Sequence, residues 1–194
     1  MSILASLSSS FIDRCESIAT EQRVYLRLRA FEPLPAQQLA TQLGATLFTP
    51  ETLPNADPEQ VRILLSQGQW SAAIICMQPL SIVYNSQHSL PRQQSDLMHE
   101  CAHVLLQHPM VGFNTETGLP QRKQQVEDEA TYLGSCLQIP RRGLLWATQK
   151  KMNLTQIAEH FGASEKMVDF RSNLTGVRVT KQPQLPRTPD RRYN

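Results

Sequence analysis

No stretch of this 194-residue chain approaches the roughly 20 consecutive apolar residues that a membrane-crossing helix needs, so no membrane partner is expected. The first residues, MSILASLSSSFIDRCES, begin with a short apolar run, but no basic residue precedes it and no long apolar core follows. They do not read as a secretion signal, and the expected location is cytoplasmic. The four cysteines, Cys15, Cys76, Cys101 and Cys136, include no CxxC pair, which excludes a zinc ribbon or a thioredoxin-type motif. In a reducing compartment they are expected to be free thiols acting as small apolar residues. Internal repeats are absent too.

What is present is an ordinary globular composition, 40 % hydrophobic and 19 % charged, at a length suited to one main domain with a small appended module. The net charge of +2 is unevenly spread. Residues 141–194 hold eleven Lys and Arg against four Asp and Glu, a net of +7, which leaves −5 for residues 1–140. A basic end on an acidic body points mildly to contact with nucleic acid or an acidic partner.

Along the chain, the first 20 residues carry a loose helical pattern (Ile3, Leu7, Phe11, Ile18) polar enough for the surface. PAQQLATQLGATLF reads more clearly: Pro35 starts a helix with Leu39, Ala40 and Leu43 as its apolar stripe, and Gly44 offers a left-handed cap before a short strand at 46–48. In DPEQVRILLSQGQ, Asp57 is the N-cap, Pro58 lies in the first turn and Gln60 completes a capping box, with a stop at Gly68. WSAAIICMQPLSIVYN contains two short Ile- and Val-rich runs around Gln78-Pro79-Leu80, a hairpin or a pair of adjacent strands. A helix over about 91–108 follows and is broken by Pro109. PMVGFNTETGLP reads as a loop, and a further helix over about 121–139 closes at Pro140. Residues 154–176 read as helix, turn, helix, with Gly162-Ala163 at the turn and Ser164 capping the second helix.

The segment MHECAHVLLQHPM carries the chemistry. Residues four apart on a helix differ by only about 40° in direction, so His99 and His103 project side by side and make a two-pronged clamp for zinc. The helix is apolar around most of its circumference, with both histidines and Glu100 on one polar strip. Core histidines satisfied by local hydrogen bonds are the bland alternative, but HExxH arises by chance in a chain this long with a probability on the order of one in a hundred. A third ligand must come from elsewhere, since a continuous helix places His108 about 140° from His103, facing away. VEDEA on the next helix is the source. Relative to the stripe Val126, Ala130, Leu133 and Leu137, Glu129 lies about 70° to one side, Glu127 about 90° to the other and Asp128 nearly opposite. This excludes Asp128 and leaves both glutamates open. Cys101 lies about 160° from His103 and is read as a buried, inert thiol, against a speculative thiol link to activity.

Asn85, Arg92, DLMHECAHVLLQH, VEDEATYLGSCLQIP and IAEHFGASEKMVDFR, in that order, resemble the ImmA/IrrE metallopeptidase family over roughly residues 35–176. The resemblance implies His99, His103 and Glu129 as zinc ligands, one zinc per chain with manganese as the substitute, and Glu100 as catalytic acid and base. Thr131 stands where that family often has Asn or Asp, which alters the hydrogen bonding expected around the ligands. Tyr132 and His160 are the candidates for a second oxyanion donor, with ordinary packing as the alternative for each. The implied fold is α+β: a small zincin-like metallopeptidase domain, its short β-sheet packed on the active-site helix, then a helix-turn-helix-like pair. Boundaries read as an N-terminal helical segment over 1–34, the peptidase domain over 35–150, the helical pair over 151–178 and a disordered basic tail over 179–194.

The implied activity is zinc-dependent hydrolysis of a peptide bond in a protein substrate, typically a DNA-binding repressor of the helix-turn-helix class, in stress response or mobile-element regulation. An extended substrate would add to the strands around Ile74 and Val83, by analogy with other zinc peptidases. The competing reading is a DNA- or protein-binding regulator that uses residues 154–176, with the metal site structural or inactive. Against direct DNA binding, SEKMVDFRSNL offers only Lys166 and Arg171, balanced by Glu165 and Asp169.

Overall fold

The computed structural model describes residues 7–67, 70–109 and 123–181. Most of the expected loop at PMVGFNTETGLP, the stop at Gly68 and the tail beyond residue 181 lie outside them. Helix α1 spans Ser9–Tyr25 and is capped by Ser8, whose hydroxyl accepts from Phe11 N at 3.2 Å. It is longer and more deeply packed than its loose apolar pattern suggests, with Cys15 and Ala19 fully buried. Pro35 then opens α2, Ala36–Gln42, and Gly44 takes the left-handed conformation (φ +81°) that lets the chain turn into strand β1, Thr46–Phe48. Helix α3 covers Pro58–Gln67, with Asp57 Oδ1 accepting from Glu59 N at 2.8 Å.

Strands β2, Ala72–Met77, and β3, Leu80–Tyr84, form the expected hairpin, with a cis Gln78-Pro79 bond at its turn. The sheet order is β1-β3-β2, with β1 parallel and β2 antiparallel to β3. The central strand buries Leu80, Ser81, Ile82 and Val83 in succession, as a strand covered on both faces should. β2 is an outer strand, and its register shifts between Ile74 and Cys76.

Asn85 organises the turn out of β3. Its amide nitrogen donates to Trp70 O and lies 3.3 Å from His88 Nε2, while His88 Nδ1 lies 2.9 Å from Asp96 Oδ2 on the following helix. That helix, α4, spans Leu90–Leu105. Gln94 on its second turn clamps it to the start of α2, donating to Leu34 O at 2.6 Å and accepting from Ala36 N at 2.9 Å. Helix α5, Gln124–Gln138, lies against both α4 and α1. Three further helices follow: α6, Arg141–Gln149, which the sequence pattern does not announce, then α7, Leu154–Phe161, and α8, Glu165–Thr175.

Two apolar clusters hold these elements together. The larger joins α1, α2, the sheet, α4 and α5 through residues such as Leu39, Ile82, Leu97, Met98, Leu133 and Leu137. The smaller joins the end of α5 to α6, α7 and α8 through Ile139, Leu144, Ile157, Phe161 and Val168. Each fully buried side chain of this kind contributes about 1.5–3 kcal/mol. Arg171 of α8, fully buried, ties the clusters together: it pairs with Glu16 of α1, donates to Ile139 O at 2.8 Å and sits 5.7 Å over the Tyr132 ring. Burial of a charge at this depth is tolerable only because its partners replace much of the lost water.

Candidate metal centre

Where α4 and α5 cross, Gly134 of α5 meets the backbone of α4. A Cβ built on it would lie 3.2 Å from His99 N and 3.2 Å from Met98 O. A side chain at this position would need the two helices to part by a few tenths of an ångström, and the close approach sets the width of the site. Counting 100° per residue, Glu127 lies about 20° from Gly134 around α5, Thr131 about 60°, and Glu129 about 140°. The face of α5 turned toward α4 therefore carries Glu127 and Thr131.

The side chains follow that geometry. His99 Nε2 and His103 Nε2 are 3.1 Å apart, and Glu127 Oε2 lies 3.1 Å from the first while its Oε1 lies 3.6 Å from the second. Ligands about 2.0–2.1 Å from a tetrahedral metal are spaced about 3.3 Å from one another, so these three side chains are set as such an ion requires. Thr131 Oγ1, 3.5 Å from His99 Nδ1, is placed to accept the ring's other proton. His103 is almost wholly buried, whereas His99 and Glu127 keep 26 % and 33 % of their side chains exposed and form the mouth of the site.

Glu100 shares this corner. A ligand atom from each of His99, Glu100 and His103 can be chosen so that all lie within 4.8 Å of one another. Its carboxylate is buried, and Oε2 accepts from Ile74 N of the outer strand β2 at 3.2 Å. The expected catalytic carboxylate is thus held against the sheet edge, next to the histidine pair.

Other side chains singled out by the sequence are placed differently. Glu129, the carboxylate the resemblance designates as ligand, points instead to His108, with Oε2 3.2 Å from His108 Nε2. His108 does not face away, because α4 ends at Leu105 and the chain folds back beneath it, bringing His108 Nδ1 to 2.8 Å from His103 Nδ1. Tyr132 lies about 160° around α5 from Gly134. Its ring is buried against Phe11 and Arg171, and burial pushes its hydroxyl up to about 12. His160 belongs to the second cluster: its Nε2 lies 2.7 Å from Phe31 O and its ring packs on Trp146. Neither candidate oxyanion donor is brought to the histidine pair. Burial also pushes the Cys101 thiol up to about 12, with the Glu100 charge adding to the shift, which leaves it the inert core group expected.

The fold and the site together define a small α+β domain of the zincin-like type, with an HExxH helix beside a mixed sheet and a carboxylate reaching in from the next helix. More specifically, residues 64–173 match the model of the Peptidase M78 family, described as the IrrE N-terminal-like domain, and the chain belongs to that family. Among solved structures, a Mycobacterium tuberculosis transcriptional regulator is similar in fold, with a TM-score of 0.55 at 14 % identity. The match covers 84 % of this chain and 47 % of that one, so the chain spans about half the length of the regulator. Comparison with curated proteins finds no match. Among the described residues, no helix is long and apolar enough to cross a membrane.

Proposed function

We propose that this protein is a zinc-dependent endopeptidase whose metal is held by His99, His103 and Glu127. The observation that carries the reading is the convergence of those three side chains at metal-ligand spacing, with Glu100 buried beside them. When bound, the metal supplies Lewis acidity toward a carbonyl and acidifies water in the open coordination position. Manganese, which accepts the same nitrogen and oxygen donors, is the alternative ion.

Glu100 acts as general base and then as general acid. Its carboxylate takes a proton from the attacking water and returns it to the departing amine nitrogen, so no proton is lost or gained over the cycle. The Ile74 N–H fixes one carboxylate oxygen and leaves the other for this exchange. An extended substrate adds as a strand along β2, the outer strand from which Ile74 holds Glu100, and its scissile carbonyl is thereby aligned with the exposed mouth at His99 and Glu127. Thr131 steadies His99 from behind.

The substrate class we favour is a DNA-binding repressor, cleaved in the cytoplasm during stress or mobile-element induction. Family membership and the likeness to a transcriptional regulator support a regulatory context. Direct DNA binding by α7 and α8 is disfavoured, because Arg171, one of the two basic residues of α8, is fully buried in its pair with Glu16 and has no reach to a phosphate.

The test is metal content and cleavage together. Purified protein should carry about one zinc per chain by mass spectrometry. Glu100→Gln should keep the zinc yet lose cleavage of a co-expressed repressor, and Glu127→Ala should lose the zinc. A metal-free wild type, or a fully active Glu100→Gln, would sink the peptidase reading; salt-dependent duplex binding by the full chain would revive the DNA-binding one.

A further inference from the structure

His103 has a second nitrogen, and the structure shows what it touches. His103 Nδ1 lies 2.8 Å from His108 Nδ1, and His108 Nε2 lies 3.2 Å from Glu129 Oε2. The other oxygen of Glu129, Oε1, accepts from Gln125 Nε2 at 3.0 Å. These three side chains are joined end to end, with only 1 % of His103 and 8 % of His108 exposed.

A turn that the sequence does not advertise builds this line. After α4 ends, Gln107 adopts the left-handed conformation (φ +56°), and His108 N donates to His103 O at 3.0 Å while Gln107 N donates to Val104 O at 3.1 Å. This is the double hydrogen bond of a Schellman cap, here closed by glutamine where glycine is usual. A left-handed residue with a Cβ costs about 1–2 kcal/mol. The cost is borne at the position that swings His108 under His103.

We propose that His108 and Glu129 are positioning residues for His103: a carboxylate–imidazole–imidazole relay that fixes the His103 tautomer so that Nε2 keeps its lone pair for metal. The inference rests on the reading of His99, His103 and Glu127 as metal ligands. A carboxylate oxygen accepts, so the hydrogen between His108 and Glu129 sits on His108 Nε2, and in the neutral ring Nδ1 is then bare. That bare nitrogen accepts from His103 Nδ1–H, which leaves His103 Nε2 unprotonated, 3.1 Å from His99 Nε2 and facing Glu127. Ligating histidines are oriented in this way by the partner of their other nitrogen, and removing that partner weakens metal binding about 10–100-fold. Here the partner is itself an imidazole held by a carboxylate, in surroundings where such hydrogen bonds are little screened.

Two measurements on the full chain test this, with zinc alone as the probe. Long-range 1H–15N NMR on metal-free protein reads the tautomer: wild type should show His103 protonated on Nδ1, and His108→Ala a mixture of both tautomers. Zinc competition against a chromophoric chelator should show about 10–100-fold weaker binding in His108→Ala and about tenfold in Glu129→Ala. His108→Gln, whose amide can accept from His103 and donate to Glu129, should restore binding to within a few-fold of wild type and keeps the test open if the alanine variant folds poorly. In the His108→Ala background, Glu129→Ala should cause no further loss, because the two act through one path. Additive losses would mark Glu129 as a direct ligand and overturn the relay, as would an unchanged tautomer with unchanged zinc affinity in His108→Ala. If wild-type protein binds no zinc at all, the ligand reading fails, and the tautomer of metal-free protein still decides whether His108 governs His103.

Discussion

Alanine at Gly134 probes the joint that sets the distance between the histidines and Glu127. Its Cβ would meet His99 N at 3.2 Å, Met98 O at 3.2 Å and His99 Cα at 3.3 Å, all backbone atoms of α4 that cannot rotate aside. Relieving the contacts needs the two helices to part by a few tenths of an ångström. Helix propensity favours the change by about 1 kcal/mol, whereas overpacking of this kind costs about 1–3 kcal/mol. The net is a destabilisation of roughly 0–2 kcal/mol, a fall in Tm of up to about 8 °C at this chain length. The strain falls on the backbone of His99 itself, which carries its imidazole away from Glu127, so zinc affinity should fall about tenfold. Gly134→Val places two more methyl groups against the same atoms and loses the propensity gain, and should cost more than about 3 kcal/mol. Thermal melts of metal-free protein report the fold, and chelator competition reports the site. A Gly134→Ala variant with a raised Tm and unchanged zinc affinity would refute the reasoning, since it would mean that α4 does not rest on α5 at this point.

Other perturbations separate the site from its supports. Arg171→Met leaves Glu16 without its charge partner, a loss that costs about 3–5 kcal/mol, and should lower Tm by roughly 6–20 °C; an unchanged melt would show that α8 is held by apolar contact alone. Gln107→Pro cannot adopt the positive φ found there and should weaken zinc binding as His108→Ala does, while Gln107→Gly should bind zinc like wild type. Burial pushes the thiols of Cys15 and Cys101 from 9.0 up to about 12, and raises that of Cys136 as well. Above pH 9 the unfolded chain sheds these protons and the folded chain keeps them, so stability should fall by about 1.4 kcal/mol per pH unit for each thiol. Arg23, lowered by burial to about 10, works in the opposite direction above that pH, because there the unfolded chain holds the proton longer. Urea titrations between pH 8 and 10 should therefore show a declining midpoint, shallower in Cys15→Ala, and a flat profile would contradict the burial of the thiols.

Elements with strong local punctuation were legible in the sequence. Pro35 and Gly44 bracket α2, Ser164 caps α8, and the Ile- and Val-rich runs around Pro79 form β2 and β3 as their composition implies. Helix α1 is poorly marked in the sequence because its inward face uses small residues, Cys15 and Ala19, and buries Arg23 through hydrogen bonds to Ala19 O and Gln138 O. Apolar periodicity has no way to register a face built from small residues and a satisfied charge. Helix α6 is unmarked for a related reason: RRGLLWATQ starts with two arginines and no polar N-cap, so nothing local distinguishes it from a linker, and its burial depends on α8 and the distant Phe161.

At the candidate metal centre the division is sharper. His99, Glu100 and His103 were legible because they share one helix, where spacing is geometry. Which of Glu127 and Glu129 faces α4 is not, since a helical wheel centred on one apolar stripe does not describe α5. In the structure nearly every residue from Ala130 to Gln138 is buried, and α5 has one face toward α4 and another toward α1. Gly134 held the missing information: a glycine inside a helix costs about 1 kcal/mol and so marks the face where another backbone comes close, and seven residues before it on that face stands Glu127. His108 had no such marker. Its place depends on a left-handed Gln107, and a reader expecting glycine at a helix end would run α4 straight on to Pro109 and turn His108 away. Such departures occur elsewhere too, at the left-handed Arg27, Asn55 and Lys151 and at Gly143 inside α6, so they mark no site by themselves; at Gly134 and Gln107 they set the approach of Glu127 and of His108 to His103.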